Sequence, residues 1–273
     1  MTNPPIERFT LVLNSHALTD FQECETKYKY RDHMCIKVAG ENKFFRKGSL
    51  VATILENYYK RKMRGKNVLI PLNPFMLPKV AQKRLGYSPS DANEFARIMW
   101  KYHEEYENEQ WIPVAVEKGF SKILWEDASN LFIYEGKPDL IVRVGKDLVG
   151  VDHKTQSLQY SIWEFNNQAL GYCWGIGLNY FVYNYIKFTK EDWFRRSTHQ
   201  FSSAQLDAWH TETIDWFFRI KHAICYRTYL KNWTCQTKFG LCDYTSLCTQ
   251  PSEAARTWNI KSTFKQTKRY RSW

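Results

Sequence analysis

Apolar residues recur at helical spacing near the start of the chain, alternate through its middle, and return to helical spacing toward its end. The segment SHALTDFQECETKYKYR places Leu18, Phe21 and Cys24 near one stripe behind Ser15, a helix-capping residue type, and predicts the first helix. GSLVATILENYYKRKMRGK predicts a second, with Leu50, Ile54, Leu55 and Tyr58 at helical spacing. PLNPFMLPK reads as a proline-broken connector, and SDANEFARIMWKYHEEYENEQW as a third helix with Ser90 as its cap. PVAVEKGFSKILW and NLFIYEGKPDLIVRV then predict three or four antiparallel strands that lead into a hairpin. SIWEFNNQALGYCWGIGL returns to helix, opened by Ser161 and Glu164 in the capping-box arrangement. Its Gln168 and Tyr172 are four apart and share a face. YFVYNYI reads as one more strand, and the rest is mostly helical through residue 232, without internal repeats or low-complexity segments.

The hairpin fixes its own register. Gly145-Lys146 suits a two-residue type II′ turn in which glycine takes the positive φ. Leu140 then faces Val151 and Val142 faces Val149, which gathers the four apolar side chains on one face; a slip of one residue would scatter them. Asp139 faces Asp152 at the outer end, and Asp139, Asp152 and Lys154 lie on the opposite face because side chains alternate along a strand. Like charges directly opposed across a pair destabilise it. A hard divalent cation such as Mg²⁺ or Mn²⁺ offsets that cost best, since carboxylate oxygens are its preferred ligands. On these residues alone, a hairpin end with solvated charges is the competing reading.

The remaining composition narrows the partner. Of 273 residues, 39 are Lys or Arg and 28 Asp or Glu, a net charge of +11 that points to an acidic partner. With neither a basic amphipathic helix nor an apolar run of about 18 residues, nucleic acid fits better than membrane. The start of the chain lacks the pattern of a secretory leader, and seven cysteines then suggest a reducing compartment, the cytoplasm, with thiols used for metal or catalysis. Cys235, Cys242 and Cys248 crowd a polar, turn-rich segment, whereas Cys35, Cys173 and Cys225 read as packing residues. The tail 251–273 carries six Lys or Arg against one Glu, interleaved with Trp258, Phe264, Tyr270 and Trp273. That mix suits phosphate contacts with base stacking, and equally a solvated, loosely packed end.

The order of these pieces resembles the PD-(D/E)XK nuclease superfamily. More narrowly it is similar to the RecB-like branch that carries an iron–sulfur cluster, found in AddB nuclease domains, CRISPR-associated exonucleases and phage relatives. GKPDLI followed by GVDHKT matches the paired acidic and D/E-x-K elements, and QALGY the downstream Q-x-x-x-Y element. The resemblance spans residues 15–248 and implies an α/β (α+β) fold. It would have a central mixed sheet flanked by helices, with N- and C-terminal segments joined at the cluster. In it, Asp139 and Asp152 would bind Mg²⁺ or Mn²⁺, Lys154 would assist the attacking water, and Gln168 and Tyr172 would line the site. Glu117 is a lesser candidate ligand upstream. Cys24 would join Cys235, Cys242 and Cys248 around a [4Fe–4S] centre, although four thiolates also suit zinc.

The resemblance further implies one nuclease domain over 1–273. Cluster-binding segments would lie at 15–35 and 230–250, a helical insertion at 61–112, and a basic aromatic tail at 251–273. One residue departs from the pattern. The branch carries G-x-x-x-H on the helix after the first Cys, and here Gly48 is followed by Ala52, which offers no ligand atom. Either activity has drifted away naturally or the histidine was replaced to disable the enzyme; the intact remainder favours replacement. The implied activity is metal-dependent DNA exonuclease, acting on ends or single strands in end processing or recombination. The alternative is a DNA-end-binding module that works with a recombination or CRISPR-adaptation partner.

Overall fold

The computed structural model describes residues 8–39, 43–65, 77–156, 166–188, 193–232, 235–237 and 240–267. In chain order they form β1 (Phe9–Leu13), α1 (Ser15–Glu23), α2 (Glu25–Tyr28), a π-helical turn (Lys29–His33) and β2 (Ile36–Val38). Three helices follow: α3 (Lys43–Met63), α4 (Leu77–Leu85) and α5 (Pro89–Tyr106). The strands β3 (Ile112–Val116), β4 (Phe120–Glu126), β5 (Asn130–Gly136), β6 (Leu140–Val144) and β7 (Asp147–Gln156) come next. After them run α6 (Asn167–Ile176), β8 (Tyr180–Lys187), β9 (Trp193–Gln200) and α7 (Ser203–Tyr226). The chain closes with β10 (Gln236–Thr237), β11 (Gly240–Leu241), α8 (Thr245–Cys248), α9 (Glu253–Thr263) and β12 (Phe264–Gln266).

The elements sort into two compact units, one of Glu41–Gly119 and Lys137–Leu206, the other of Met1–Gly40, Phe120–Gly136 and Asp207–Trp273. The first is built on a mixed five-stranded sheet of order β3-β6-β7-β8-β9, in which only β7 and β8 run parallel. The β6–β7 hairpin has the expected register, Leu140 against Val151 and Val142 against Val149, and Gly145 sits at φ 59° in its turn. One face of this sheet buries Leu140, Val142, Val149, Val151, Val182 and Ile186 against α3, α4 and α5. On the other face Phe181 of β8 meets Tyr172 of α6.

The second unit carries a three-stranded sheet, β1-β5-β4, with β1 parallel to β5. Trp209 and Phe217 of α7 pack on Tyr134 and Phe132 of β5. A smaller cluster of Tyr30, Ile36, Tyr244, Leu247 and Phe264 closes the antiparallel β2–β12 pair.

Several sequence expectations shift by a residue or more. Asn14, not Ser15, caps α1, its side chain accepting from Ala17 N at 3.0 Å, while Ser15 is buried inside the helix. The predicted helix over 15–31 breaks at Cys24, whose backbone is extended. Ser88 rather than Ser90 caps α5, because Pro89 takes the first-turn position where a missing N–H costs nothing. The same tolerance makes a helix of the expected connector from Leu77. Ser161 and Glu164 lie outside the described residues; α6 starts at Asn167, capped by Asn166. The middle strands do not form one meander, since β4 and β5 join β1 in the other unit. The tail forms α9, which buries none of its residues, and β12, whose Phe264 is buried; Tyr270 and Trp273 lie outside the described residues.

Candidate active site

Strand β7 brings the chemistry to one face. Asp152 and Lys154 are two apart and project together, and Asp152 is only 5 % exposed. Lys154 Nζ stands 2.6 Å from Asp152 Oδ2 and donates to Gln168 Oε1 at 2.8 Å. Gln168 Nε2 donates in turn to Asp152 Oδ1 at 2.8 Å, so the three side chains close a ring. The amide suits this place because it offers a donor to the carboxylate and, from a separate atom, an acceptor to the ammonium. Asn166 holds Gln168 at the helix start: its Oδ1 accepts from Gln168 N at 2.8 Å and from Tyr183 OH at 3.2 Å. One turn on, Tyr172 OH lies 3.4 Å from Gln168 Nε2, and burial pushes its phenol well above the ordinary value.

Asp139 precedes β6 and accepts the backbone N–H of His153 on its Oδ2 at 2.7 Å. Burial, and after it the negative charge of Asp152, pushes the Asp139 carboxyl well up; Glu117 adds to this, while His153 N–H and Lys154 oppose it. Glu117 stands one residue past β3 rather than within it, at φ 51°, an uncommon conformation for a residue with a side chain. Its N–H donates to Asp139 O at 2.9 Å and its carboxylate pairs with Lys137.

The side chain of His153 turns to the opposite face. Its ring stacks on Tyr59, and its Nδ1 accepts from Asn184 Nδ2 at 2.7 Å, since an amide nitrogen only donates. Burial, with the charges of Arg196 and Lys154, pushes the imidazole down to about 3, so the ring stays neutral. Asn184 also donates to Tyr102 OH at 2.7 Å. Arg196 is sandwiched 3.6 Å from the Tyr106 ring and 3.5 Å from that of Trp111, and pairs with Glu109, which also takes Lys62 at 3.1 Å.

Ala52 belongs to the stripe of α3 that faces β7. A Cβ on Gly48 would stand 3.0 Å from Thr155 Oγ1, and Tyr59, eleven residues along, meets His153; Ala52 falls between them at helical spacing. Its half-buried methyl group provides no ligand.

Among the described residues no three His, Cys, Asp or Glu side chains stand at metal-ligand spacing. The donor chemistry nonetheless fits a hard divalent cation. Asp139 and Asp152 are close enough for one charge to raise the other's carboxyl, and both offer oxygen ligands of the kind Mg²⁺ and Mn²⁺ take.

The four singled-out cysteines all belong to the other unit, where their segments are laced together. Thr26 N donates to Leu230 O at 3.1 Å, Leu230 N to Glu25 Oε2 at 3.0 Å, and Asn232 Nδ2 to Glu23 O at 2.8 Å. Cys242 N donates to Cys235 O at 2.7 Å. Burial pushes the Cys248 thiol up, and among the smaller influences on it are the charges of Cys24, Cys235 and Cys242. These four thiols therefore share a neighbourhood. Of the other three, Cys173 is buried as expected, but Cys225 is exposed and Cys35 is half-buried at φ 55°, so neither is a simple packing residue.

The sequence reading missed His153, Asn166, Tyr183, Asn184 and Lys137. Only Asn166 left a local signal, an asparagine at the mouth of an apolar helix. The others act through strand neighbours that sequence spacing does not reveal.

Residues 13–249 match the family model of the PD-(D/E)XK nuclease superfamily, and the chain belongs to that superfamily. It is therefore a nuclease domain, a hydrolase whose substrate class is DNA. Pro138-Asp139 and Asp152-His153-Lys154 spell the family's signature. No curated protein matches the sequence. A candidate exonuclease from Eubacterium rectale shares the fold at TM-score 0.50 and 11 % identity, over 82 % of this chain and 85 % of that one. A solved protein designated SSO0001 aligns at TM-score 0.35 and 13 % identity, over 76 % of this chain and 93 % of that one.

Proposed function

We propose that this chain is a metal-dependent DNA exonuclease whose site is the face of β7 bearing Asp152 and Lys154. The closed ring of Asp152, Lys154 and Gln168 beside Asp139 is the observation that carries this reading. Asp139 and Asp152 would hold Mg²⁺ or Mn²⁺, with Glu117 available once it parts from Lys137; the bound ion supplies Lewis acidity and an acidified water. Lys154 brings positive charge to the place where a phosphate accumulates negative charge. Gln168 fixes the ammonium and the carboxylate relative to each other, and Tyr172 steadies Gln168. The likeness in fold to a candidate exonuclease agrees with this assignment without reaching beyond fold.

Cys24, Cys235, Cys242 and Cys248 are the proposed ligands of a [4Fe–4S] cluster, which takes four thiolates. The hydrogen bonds that lace the Cys24 segment to Leu230 and Asn232, and Cys242 to Cys235, support the set, and seven unpaired cysteines suit a cytoplasmic setting. Protein isolated without oxygen is expected to be brown and to carry iron and sulfide. A colourless preparation with zinc assigns the site to zinc instead.

A second reading rests on Ala52 alone: lacking the histidine, the fold binds DNA ends for a recombination or CRISPR-adaptation partner. The deciding experiment compares the chain with Ala52→His and Asp152→Ala on end-labelled single- and double-stranded DNA, with Mn²⁺ and with chelator. The exonuclease reading expects Ala52→His to cut faster than the parent in Mn²⁺ and Asp152→Ala to bind without cutting. Binding by every form with cutting by none establishes the second reading.

A further inference from the structure

We propose that the outer face of the β2–β12 pair, together with the exposed side of the adjoining helix α9, is a second DNA contact, where Lys37 and Lys265 grip the backbone of a single strand and Trp258 of α9 stacks one of its bases. The inference rests on the nuclease reading only for the identity of the polyanion. All three residues belong to the unit that holds none of the proposed catalytic side chains.

The register carries the argument. Phe264 pairs with Val38, Lys265 with Lys37 and Gln266 with Ile36, and the pairing is fixed at both ends by Ala39 N to Thr263 O at 3.1 Å and Thr267 N to Cys35 O at 2.8 Å. Ile36 and Phe264 are buried with Tyr30, Tyr244 and Leu247. Lys37 and Lys265 alternate with them and project together into solvent. Directly opposed residues have Cβ atoms about 4.5–5.5 Å apart, and like charges there destabilise the pair. A two-stranded sheet has little pairing energy to spare for such a conflict. Among the described residues neither lysine side chain has an ion pair or hydrogen bond, so no carboxylate there relieves it. A phosphate chain would.

The adjoining helix points to the same ligand. Trp258 of α9 is 71 % exposed, and among the described residues its ring meets no other ring. Lys261, three residues on and also exposed, shares its face of the helix. Arg256, by contrast, is occupied by Glu253 and the carbonyl of Leu247. Cationic side chains beside an open aromatic ring make a platform for unpaired nucleotides: lysines take phosphates and the ring takes a base. A duplex keeps its bases stacked, so the ligand this surface fits is single-stranded DNA.

The test measures binding of an oligodeoxythymidine and of a duplex of equal length, in an Asp152→Asn background so that the DNA survives. Lys37→Glu sets opposite charges across the pair, so the variant should melt at or above the parent temperature while binding the single strand several-fold more weakly. Lys37→Gln with Lys265→Gln should flatten the dependence of log affinity on log salt by about 0.7 for each phosphate that is no longer neutralised. Trp258→Ala should weaken single-strand binding about 5-fold or more and spare the duplex. Unchanged affinity and salt slope in the folded lysine variants overturns the proposal, as does equal loss on strand and duplex. Cleavage persisting in the Asp152→Asn parent would instead count against Asp152 as a metal ligand of the proposed site, and is read separately.

Discussion

Asp139 and His153 are joined by a backbone donor: the amide of His153 gives its hydrogen to Asp139 Oδ2 at 2.7 Å. The residue between Asp152 and Lys154 thus serves both faces of the sheet. Its N–H steadies the second carboxylate on the site side, while its ring is clamped by Tyr59 and Asn184 on the other. A charged acceptor strengthens such a bond, which helps two repelling carboxylates stay close.

Asp139→Asn keeps an acceptor oxygen for His153 but removes the charge facing Asp152. Without divalent ions the variant should melt at or above the parent temperature. Its DNA cleavage should fall by at least about 10²-fold, beyond the loss typical of an outer-shell partner. Melting curves with chelator and degradation of end-labelled DNA with Mn²⁺ check both. Activity within a few-fold of the parent would remove Asp139 from the ligand set.

Gln168 meets Asp152 with its nitrogen and Lys154 with its oxygen. Gln168→Glu turns the donor into a second negative charge against Asp152, whereas Gln168→Ala only empties the place. Glu should therefore be the worse substitution, with cleavage down about 10- to 100-fold and partly recovered by raising Mn²⁺. Titrating rate against Mn²⁺ for both variants tests the order; Ala falling below Glu would sink it.

Lys154→Met should leave DNA affinity near that of the parent and lower the single-turnover rate by about 10²-fold or more, because the ammonium acts on charge that develops during the reaction. A loss confined to affinity would recast Lys154 as a binding residue.

How far the sequence reached follows from which distances are local. The hairpin register was legible because turn residues and a two-residue period fix it within a dozen positions, and Leu140 against Val151 emerged as read. Gln168 and Tyr172 were legible as helix neighbours. The Gln168–Asp152 bond was not, since it depends on how α6 lies over the sheet. Strand β9 was missed because its side chains are largely polar, and its alternation shows only beside the partner β8. Cys24 was read inside a helix, but its extended backbone breaks that helix beside Leu230, a contact across more than two hundred residues.

Asp32, in the π-helical turn, carries a carboxyl raised to about 7 by burial and then by the charge of Asp20, with Arg31 and Lys27 opposing. Its folded-state value lies above the ordinary 3.8, so folding holds a proton that the unfolded chain releases. The contribution is complete below about pH 4 and is lost as pH rises through about 7. Asp32→Asn stays neutral throughout. It should match the parent's melting temperature near pH 4 and exceed it at pH 8. Equal destabilisation at both values would contradict the assignment.

Arg196 offers the sharpest test of the buried side of the site. Its guanidinium lies between the rings of Tyr106 and Trp111 and faces Glu109, whose side chain is 4 % exposed. Removing one partner of a buried pair leaves the other charge without compensation, at a cost of about 3–5 kcal/mol. Lys62 still reaches Glu109, so Arg196→Ala should cost about 3 kcal/mol, the lower end of that range. Arg196→Lys keeps the charge but loses the planar stacking and should cost less. Adding Glu109→Gln to Arg196→Ala should recover part of the loss, giving a coupling energy of about 1 kcal/mol or more. Urea denaturation of the parent, Arg196→Ala, Glu109→Gln and the double variant measures it. Arg196 also approaches Asn184, which holds His153, so Arg196→Ala should slow cleavage in protein that is still folded. Coupling below about 0.5 kcal/mol, the scatter expected of independent sites, would mean the cluster is not a unit.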